Sequence, residues 1–249
     1  TRRSGETNKV SKRIYTFDLL RGYFLLSLLL NHLQRYPSGF DFLTMRGMMF
    51  ASPAEGFFIV SGIILGIVRG GKLKDAPFKV AAWLLAKRGL MLYAWAVGLT
   101  VLFTLAGWVF IGAPRLKSGI MPVDAGLGQL LLGSASLQYV YGWADFLRLY
   151  AVFMIAAPAA LWLLRKNAWW AVLGGSLAVW AVFPESTFLR WQLLFFGGLA
   201  LGFHRHNIAA WWQARAVAFR GRTSLAIIGV AAAALCLNAV LVFGPKLLG

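Results

Sequence analysis

The sequence predicts an all-α protein, a polytopic bundle of transmembrane helices with about seven spans. Of the 249 residues, 59% are hydrophobic and only 13% are charged. A soluble domain carries about 25% charged residues. The apolar residues also fall in uninterrupted blocks of about 17–25 residues, the length that a helix needs to cross a ~30 Å hydrocarbon core. Strands of a membrane barrel would instead alternate polar and apolar residues in segments of about ten.

The placement of the positive charges predicts how these helices are oriented. The formal net charge is +17, and 17 of the 25 Lys and Arg residues fall in segments that follow every second apolar block. These segments are 1–13, 69–88, 165–166 and 205–222. Basic loops of this kind lie on the cytoplasmic side of a membrane. We therefore expect a cytoplasmic N-terminus, with membrane lipids as partners of the basic loops and no binding of nucleic acid.

The apolar blocks define the elements in order, after a cytoplasmic basic arm over 1–13. The remaining residues, 14–249, form a single transmembrane domain. The expected spans are residues 17–33, 53–68, 80–111, 145–164, 168–183, 188–203 and 224–243. Residues 126–142 are too short and too rich in Gly and Ser for a further span, and we expect a re-entrant or interfacial segment there.

The single cysteine and the two ends of the chain are less informative about the fold. Cys236 lies inside an apolar stretch, and one cysteine cannot form an intrachain disulfide. The first apolar block has no small-residue cleavage site, so we expect no cleaved signal peptide. The chain begins with Thr1 rather than Met and stops soon after its last apolar block, which is compatible with a membrane domain that continues beyond Gly249.

The first span contains ionisable residues, which are costly in a membrane and therefore indicate a functional site. Arg21 and His32 share one face of a helix and lie about 16 Å apart along its axis. Arg21 is then near the cytoplasm and His32 near the outer end. Asp18 can pair with Arg21 at the inner interface, which would make that pair structural. The structural alternative for His32 is a hydrogen-bonded histidine at the interface.

The second span places a carboxylate at the same outer end. Glu55 stands near the start of that span, level with His32 on an antiparallel neighbour. Gly62 and Gly66 continue its stripe and let another helix approach closely. If that helix is the first span, the Glu55 carboxylate approaches the His32 imidazole and supports it as a general base. The alternative is a carboxylate that only interacts with the positive end of its helix dipole.

Several blocks of the sequence resemble a known family. They are Arg21 with His32, AEGFFIVSG at 54–62, KRGLMLY at 87–93, WADFLRLYAVFMIAAP at 143–158 and WQLLFFGG at 191–198. The first two are similar to motifs of the membrane acyltransferase superfamily, acyltransferase family 3. The others resemble its OpgC branch, which is associated with succinyl modification of osmoregulated periplasmic glucans. Family members usually have more spans than this chain, and Trp95 stands where a more polar residue is expected.

The resemblance implies an acyltransferase of the bacterial inner membrane. Its donor would be a cytoplasmic acyl-CoA such as succinyl-CoA, used as a co-substrate with no permanently bound cofactor or metal. Its acceptor would be a hydroxyl of a periplasmic or cell-surface glucan. His32 would remove the hydroxyl proton and Glu55 would orient the imidazole. The donor phosphates would meet Arg21, Lys87 and Arg88.

The resemblance also implies an acceptor site at the outer ends of two spans. Its candidate residues are Asp145, Arg148, Tyr150, Arg190, Trp191 and Gln192. Aromatic and hydrogen-bonding groups suit a sugar, and Arg148 or Arg190 could instead pair with a succinyl carboxylate. The structural alternative is that these residues are interfacial anchors.

Two other functions stay open at this point. The first is an acyltransferase for a different acceptor, such as a lipid or an amino sugar. The second is a non-catalytic transporter or sensor that uses Asp18, Arg21, His32 and Glu55 as a proton relay. A relay needs ionisable groups spaced across the bilayer, and the face between Arg21 and His32 holds only apolar and small residues.

Overall fold

Every element of regular structure in the described part of the chain is helical, as the sequence predicts. The computed structural model describes residues 15–33, 37–49, 51–70, 76–110 and 119–248. The predicted arm at 1–13 lies outside these ranges. The α-helices within them are α1 (Tyr15–Leu33), α2 (Asp41–Thr44), α3 (Pro53–Gly70), α4 (Phe78–Val109), α5 (Gly126–Ala135), α6 (Asp145–Arg165), α7 (Trp169–Val182), α8 (Thr187–Phe203), α9 (Arg205–Gln213) and α10 (Val217–Leu248).

The helices identify a membrane protein. Helices α3, α4, α6 and α10 are long and apolar enough to cross a bilayer. Helix α7 and residues Leu189–Phe203 of α8 form shorter apolar helices. Helix α1 coincides with the first predicted span. The short helix α2 and the polar helix α9 are not predicted, because neither contains an apolar block.

Helices α3 and α8 pack closely through glycines on both sides. A Cβ atom added to Gly62 would lie 2.1 Å from the Phe195 carbonyl oxygen, and one added to Gly202 would lie 2.1 Å from that of Ile63. The absence of side chains therefore lets the two backbones meet, as in other small-residue helix contacts in membranes. The close neighbour of Gly62 and Gly66 is α8, so the condition that this stripe packs against the first span is not met.

The same contacts show that α3 and α8 run in the same direction. Gly62 meets Phe195, and two turns further along Gly70 meets Phe203, so the contacts advance together on both helices. Successive membrane crossings alternate in direction. If α4, α6 and α7 each cross the membrane once, α8 therefore runs in the same direction as α3. A further crossing by α5 would make α3 and α8 antiparallel. With ten residues, α5 is also too short to cross at 1.5 Å per residue, which fits the predicted re-entrant or interfacial segment.

An aromatic cluster fills the space between α3, α6 and α8. Phe57 and Phe58 of α3 are buried. The ring of Phe57 lies 5.2 Å from that of Tyr150, and the ring of Phe58 lies 5.3 Å from that of Phe153. Phe195 of α8 closes the cluster, 5.6 Å from Phe153. Tilted and edge-on ring contacts at these distances add to the packing energy, so this cluster holds the three helices together.

Helix α10 stands apart from this core. Most of its side chains are exposed within the chain. Asn238 is an exception, because it is 6% exposed and its Nδ2 donates a hydrogen bond of 2.8 Å to the Met48 carbonyl. A polar side chain in an apolar helix is stabilised by such a bond between segments. Asn238 thus fixes α10 to the loop that joins α2 and α3.

Candidate functional site

His32 lies in the last turn of α1 and is exposed. Its Nδ1 atom is 2.7 Å from the carbonyl oxygen of Leu28, one turn earlier. A carbonyl can only accept a hydrogen bond, so Nδ1 carries the proton, and in the neutral ring Nε2 keeps its lone pair. The backbone of α1 therefore fixes the tautomer in which Nε2 can take a proton from a substrate.

Glu55 has a structural role at the start of α3. Its Oε2 accepts a hydrogen bond of 2.6 Å from the Ser52 amide, and its own amide donates to the Ser52 carbonyl at 3.1 Å. Ser52, Pro53 and Glu55 thus occupy the N-cap, first and third positions of a helix start, where a glutamate completes a capping box. The structure therefore shows the alternative interpretation of Glu55, in which its carboxylate interacts with the start of its own helix.

The two side chains nevertheless lie at a similar depth. The Phe24 ring of α1 packs against Gly56 of α3, because a Cβ atom there would lie 2.4 Å from the ring. Along antiparallel helices, one turn outward from Phe24 is Leu28 and one turn outward from Gly56 is Ser52. These are the residues to which His32 and Glu55 bond. No hydrogen bond or ion pair joins His32 to Glu55 within the described residues.

The segment between α1 and α3 folds back over the C-terminal half of α1. The Tyr23 hydroxyl donates to the Leu43 carbonyl at 2.7 Å. Arg46 donates through Nη1 to the Asn31 carbonyl at 2.9 Å, next to His32. These two bonds hold the segment against the helix on either side of the Leu28 turn. Arg46 thus binds the backbone of the residue before His32, a contact that the sequence pattern did not single out.

The predicted donor residues lie in the first halves of their helices, because Arg21 is the seventh residue of α1 and Lys87 and Arg88 are the tenth and eleventh residues of α4. Arg21 is half-buried on α1, and Lys87 and Arg88 are exposed on α4. The structure shows no ion pair between Arg21 and Asp18 among the described residues. Arg69, in the last turn of α3, is only 8% exposed. From the sequence it counted only as a charge of a cytoplasmic loop, because burial cannot be inferred from its position after an apolar block.

The predicted acceptor residues on α6 divide into two groups. Asp145 and Arg148 form an ion pair at the start of the helix, and Arg148 also donates to the Leu137 carbonyl at 3.2 Å. Both side chains keep exposed surface. Tyr150 is buried in the aromatic cluster, so its ring faces protein neighbours and has little surface for a sugar.

The predicted acceptor residues on α8 divide in the same way. Arg190 is exposed. The ring of Trp191 packs 5.5 Å from that of Phe58, and the buried Gln192 donates to the Ser176 carbonyl of α7 at 2.7 Å. The contacts of Trp191 and Gln192 are those of helix packing. Arg190 is the residue of the three that presents a polar group outside the bundle.

The chain between α4 and α6 forms a second polar region. The Tyr139 hydroxyl is 2.9 Å from the Thr104 hydroxyl and accepts from the Met121 amide at 3.0 Å. A cavity of about 630 Å³ opens beside Tyr139, with Asp124 in its wall. Burial, and to a lesser degree the nearby Tyr139, raises the pKa of Tyr141, so the Tyr141 hydroxyl stays protonated at neutral pH. None of the predicted site residues lines this cavity.

The described residues contain no group of His, Cys, Asp or Glu that could hold a metal ion. The bundle and its polar ends define a helical membrane protein with a histidine at one end and a group of cations at the other. The chain belongs to the OpgC family, because a family model described as OpgC protein matches residues 13–246. This match confirms the resemblance to the OpgC branch and suggests an OpgC-type acyltransferase. No curated protein and no solved structure matches the chain.

Proposed function

We propose that the chain is an integral membrane O-acyltransferase that moves a succinyl group from cytoplasmic succinyl-CoA to a hydroxyl of an extracytoplasmic glucan. Family membership supports the class of reaction. The bond between His32 Nδ1 and the Leu28 carbonyl supports the mechanism, because it leaves Nε2 as a base.

In the proposed reaction, the glucan hydroxyl attacks the thioester carbonyl carbon while His32 Nε2 takes the hydroxyl proton. A C–O bond forms and a tetrahedral oxyanion results. When that intermediate collapses, the C–S bond breaks, and the imidazolium returns its proton to the departing CoA thiolate. The reaction thus needs no oxidant, metal or further proton donor. The Glu55 carboxylate, at a similar depth, stabilises the imidazolium electrostatically.

The acceptor would meet the bundle through its exposed polar residues. Arg190 and the Asp145–Arg148 pair are the members of the predicted acceptor set with exposed polar groups. Hydrogen bonds between such groups and sugar hydroxyls suit a glucan. Tyr150 and Gln192, which are buried, and the partly buried Trp191 would act on the acceptor only indirectly, by holding α6 and α8 in place.

The proposal requires His32 on the extracytoplasmic side, which a labelling experiment can check. We expect a cysteine placed at Ser38 to react with an impermeant thiol reagent added to intact cells, and a cysteine placed at Lys74 not to react. Lys74 lies outside the described residues, in a basic segment that the charge pattern assigns to the cytoplasm. Both variants need a Cys236→Ser background, because Cys236 is exposed. The reverse labelling pattern would place His32 in the cytoplasm and contradict the proposed mechanism.

Arg21 is the second residue that the proposal makes testable. We expect Arg21→Ala to weaken the binding of acyl-CoA, because a guanidinium that could bind phosphate is lost. Arg21→Lys should restore only part of the affinity, since a point charge replaces a two-pronged donor. Titration calorimetry on the detergent-solubilised protein measures both. Unchanged CoA affinity in Arg21→Ala would remove Arg21 from the donor site.

A further inference from the structure

Helices α7, α8 and α9 surround a cavity of about 480 Å³. Most of its wall is apolar, and polar groups come from Asn167, His204 and Asn207. A concave, mainly apolar surface with a few polar groups is the usual form of a ligand site. The apolar side chains of the wall include Trp169 and Leu173 of α7, Leu201 of α8, and Ile208 and Trp211 of α9.

The wall of this cavity reaches the surface of the bundle. Trp169, Leu201, Ile208 and Trp211 are each between 44% and 52% exposed. Helix α7 and most of α8 are apolar helices of a membrane protein, so apolar groups exposed on them face lipid. Helix α9 is polar overall but carries two tryptophans, which collect where the hydrocarbon core meets the headgroups. The cavity is therefore within reach of both the acyl chains and the headgroups of lipids.

A cation lies at the edge of the cavity. The guanidinium carbon of Arg215 is 4.6 Å from the centre of the Trp211 ring, which forms part of the wall. A guanidinium is attracted to the face of an aromatic ring, so this contact holds the charge beside the cavity. Residues 205–222 contain four arginines and no Asp or Glu. The charge next to the apolar wall is thus complementary to an anion.

We infer that this cavity binds one acyl chain of an anionic phospholipid, with the phosphate of the headgroup at Arg215. An acyl chain is stabilised by burial against the apolar wall. A guanidinium binds a phosphate through two parallel hydrogen bonds. The side-chain amides of Asn167 and Asn207 can donate to the ester carbonyls that join the chains to the headgroup. His32 and the predicted donor and acceptor residues do not line the cavity, so this site does not rest on the proposed function.

Photo-crosslinking of the wild-type protein tests the position of the acyl chain. The probe is a phosphatidylglycerol with a diazirine near the end of one acyl chain, in nanodiscs of phosphatidylcholine. We expect labelling to concentrate on the peptides that contain Leu173, Leu201 and Ile208. The peptides of α10, whose exposed apolar side chains report ordinary contact with the bilayer, are the internal control. Equal labelling of α10 and of the cavity peptides would indicate bulk lipid only and overturn the site.

Arg215→Gln tests the headgroup contact. It should weaken the binding of the first phosphatidylglycerol molecule by about fivefold, as expected for one cation near an anionic lipid. Binding of phosphatidylcholine should change less, because its headgroup carries no net charge. Arg222→Gln is the matched control, since Arg222 is also an exposed arginine of the basic segment. Native mass spectrometry from neutral detergent measures the dissociation constants. Unchanged affinity in Arg215→Gln, or an equal loss in Arg222→Gln, would overturn the assignment of the phosphate to Arg215.

Leu173→Trp tests the cavity itself. Leu173 is a partly buried wall residue, and a larger side chain there fills part of the space. The folded variant should bind phosphatidylglycerol more weakly than the wild type, and undiminished binding would overturn the cavity as the chain site. If Leu173→Trp does not fold, the labelling of the wild type and Arg215→Gln decide. Release of the bound lipid by free CoA would assign the cavity to a soluble ligand and overturn the lipid assignment.

Discussion

His32→Ala should reduce succinyl transfer to the glucan by about 10²- to 10⁴-fold, the usual contribution of a positioned general base. The change removes the only group on α1 that can take a proton at the outer end. Binding of CoA should persist, because Arg21, the member of the predicted donor set on the same helix, lies about 16 Å from His32 along the helix axis. The measurement needs two readouts on one preparation, product formation from succinyl-CoA and glucan, and the dissociation constant of CoA.

Two further variants make this result interpretable. His206→Ala removes another exposed histidine, on α9, and should leave the rate unchanged. Glu55→Gln keeps an acceptor for the Ser52 amide, because glutamine also serves at the third position of a capping box. The fold should survive, and the loss of the nearby negative charge should lower the rate by an intermediate factor. A His32→Ala protein with near wild-type activity would end the general-base assignment.

Gly202→Ala should lower the stability of the folded bundle by at least about 1–3 kcal/mol, the range for overfilled cores. Its new methyl group would meet the Ile63 carbonyl oxygen at 2.1 Å, closer than carbon and oxygen can approach. The obstacle is backbone, so no side chain can turn away, and α3 and α8 must separate. We expect Gly62→Ala, on the facing helix, to behave alike, because its methyl group would meet the Phe195 carbonyl.

The neighbouring Gly197 provides the matched control. A Cβ atom added there meets nothing within 4 Å. Gly197→Ala should therefore leave the melting temperature unchanged or raise it, because alanine favours a helix over glycine by about 1 kcal/mol. Tryptophan fluorescence during heating, with size-exclusion profiles in detergent, compares the three proteins. Equal melting temperatures for Gly202→Ala and Gly197→Ala would show that the two helices do not meet through these glycines.

The helices could be read from the sequence, because a membrane demands long apolar blocks and places basic residues on one side. Which helices pack against each other could not be read from the sequence. Gly62 and Gly66 indicate that some helix comes close, but a flat glycine face fits any helix. Helix α1 was one possible partner because it carries His32, whereas the matching glycines that decide the pairing lie on α8.

The candidate site could likewise be predicted only in part from the sequence. The positions of His32 and Glu55 at neighbouring helix ends follow from counting residues, but their hydrogen bonds do not, because each side chain bonds to its own helix turn. The blocks that revealed the family turn out to supply the aromatic cluster, with Phe57, Phe153 and Phe195 at its centre. Much of the sequence similarity to the family is therefore explained by helix packing. Arg69 escaped notice since burial of a charge has no signature in composition.

The parallel pairing of α3 with α8 has a consequence for how the protein is made. Phe195 follows Gly62 by 133 positions in the chain. At a synthesis rate of about 5–20 residues per second, α3 is therefore in the membrane for roughly 7 to 27 seconds before its closest partner emerges from the ribosome. During that interval its bare glycine face is open to lipid or to other helices. Packing of α3 against α8 must therefore wait until α8 has been made, so the core cannot assemble in the order in which its helices are synthesised.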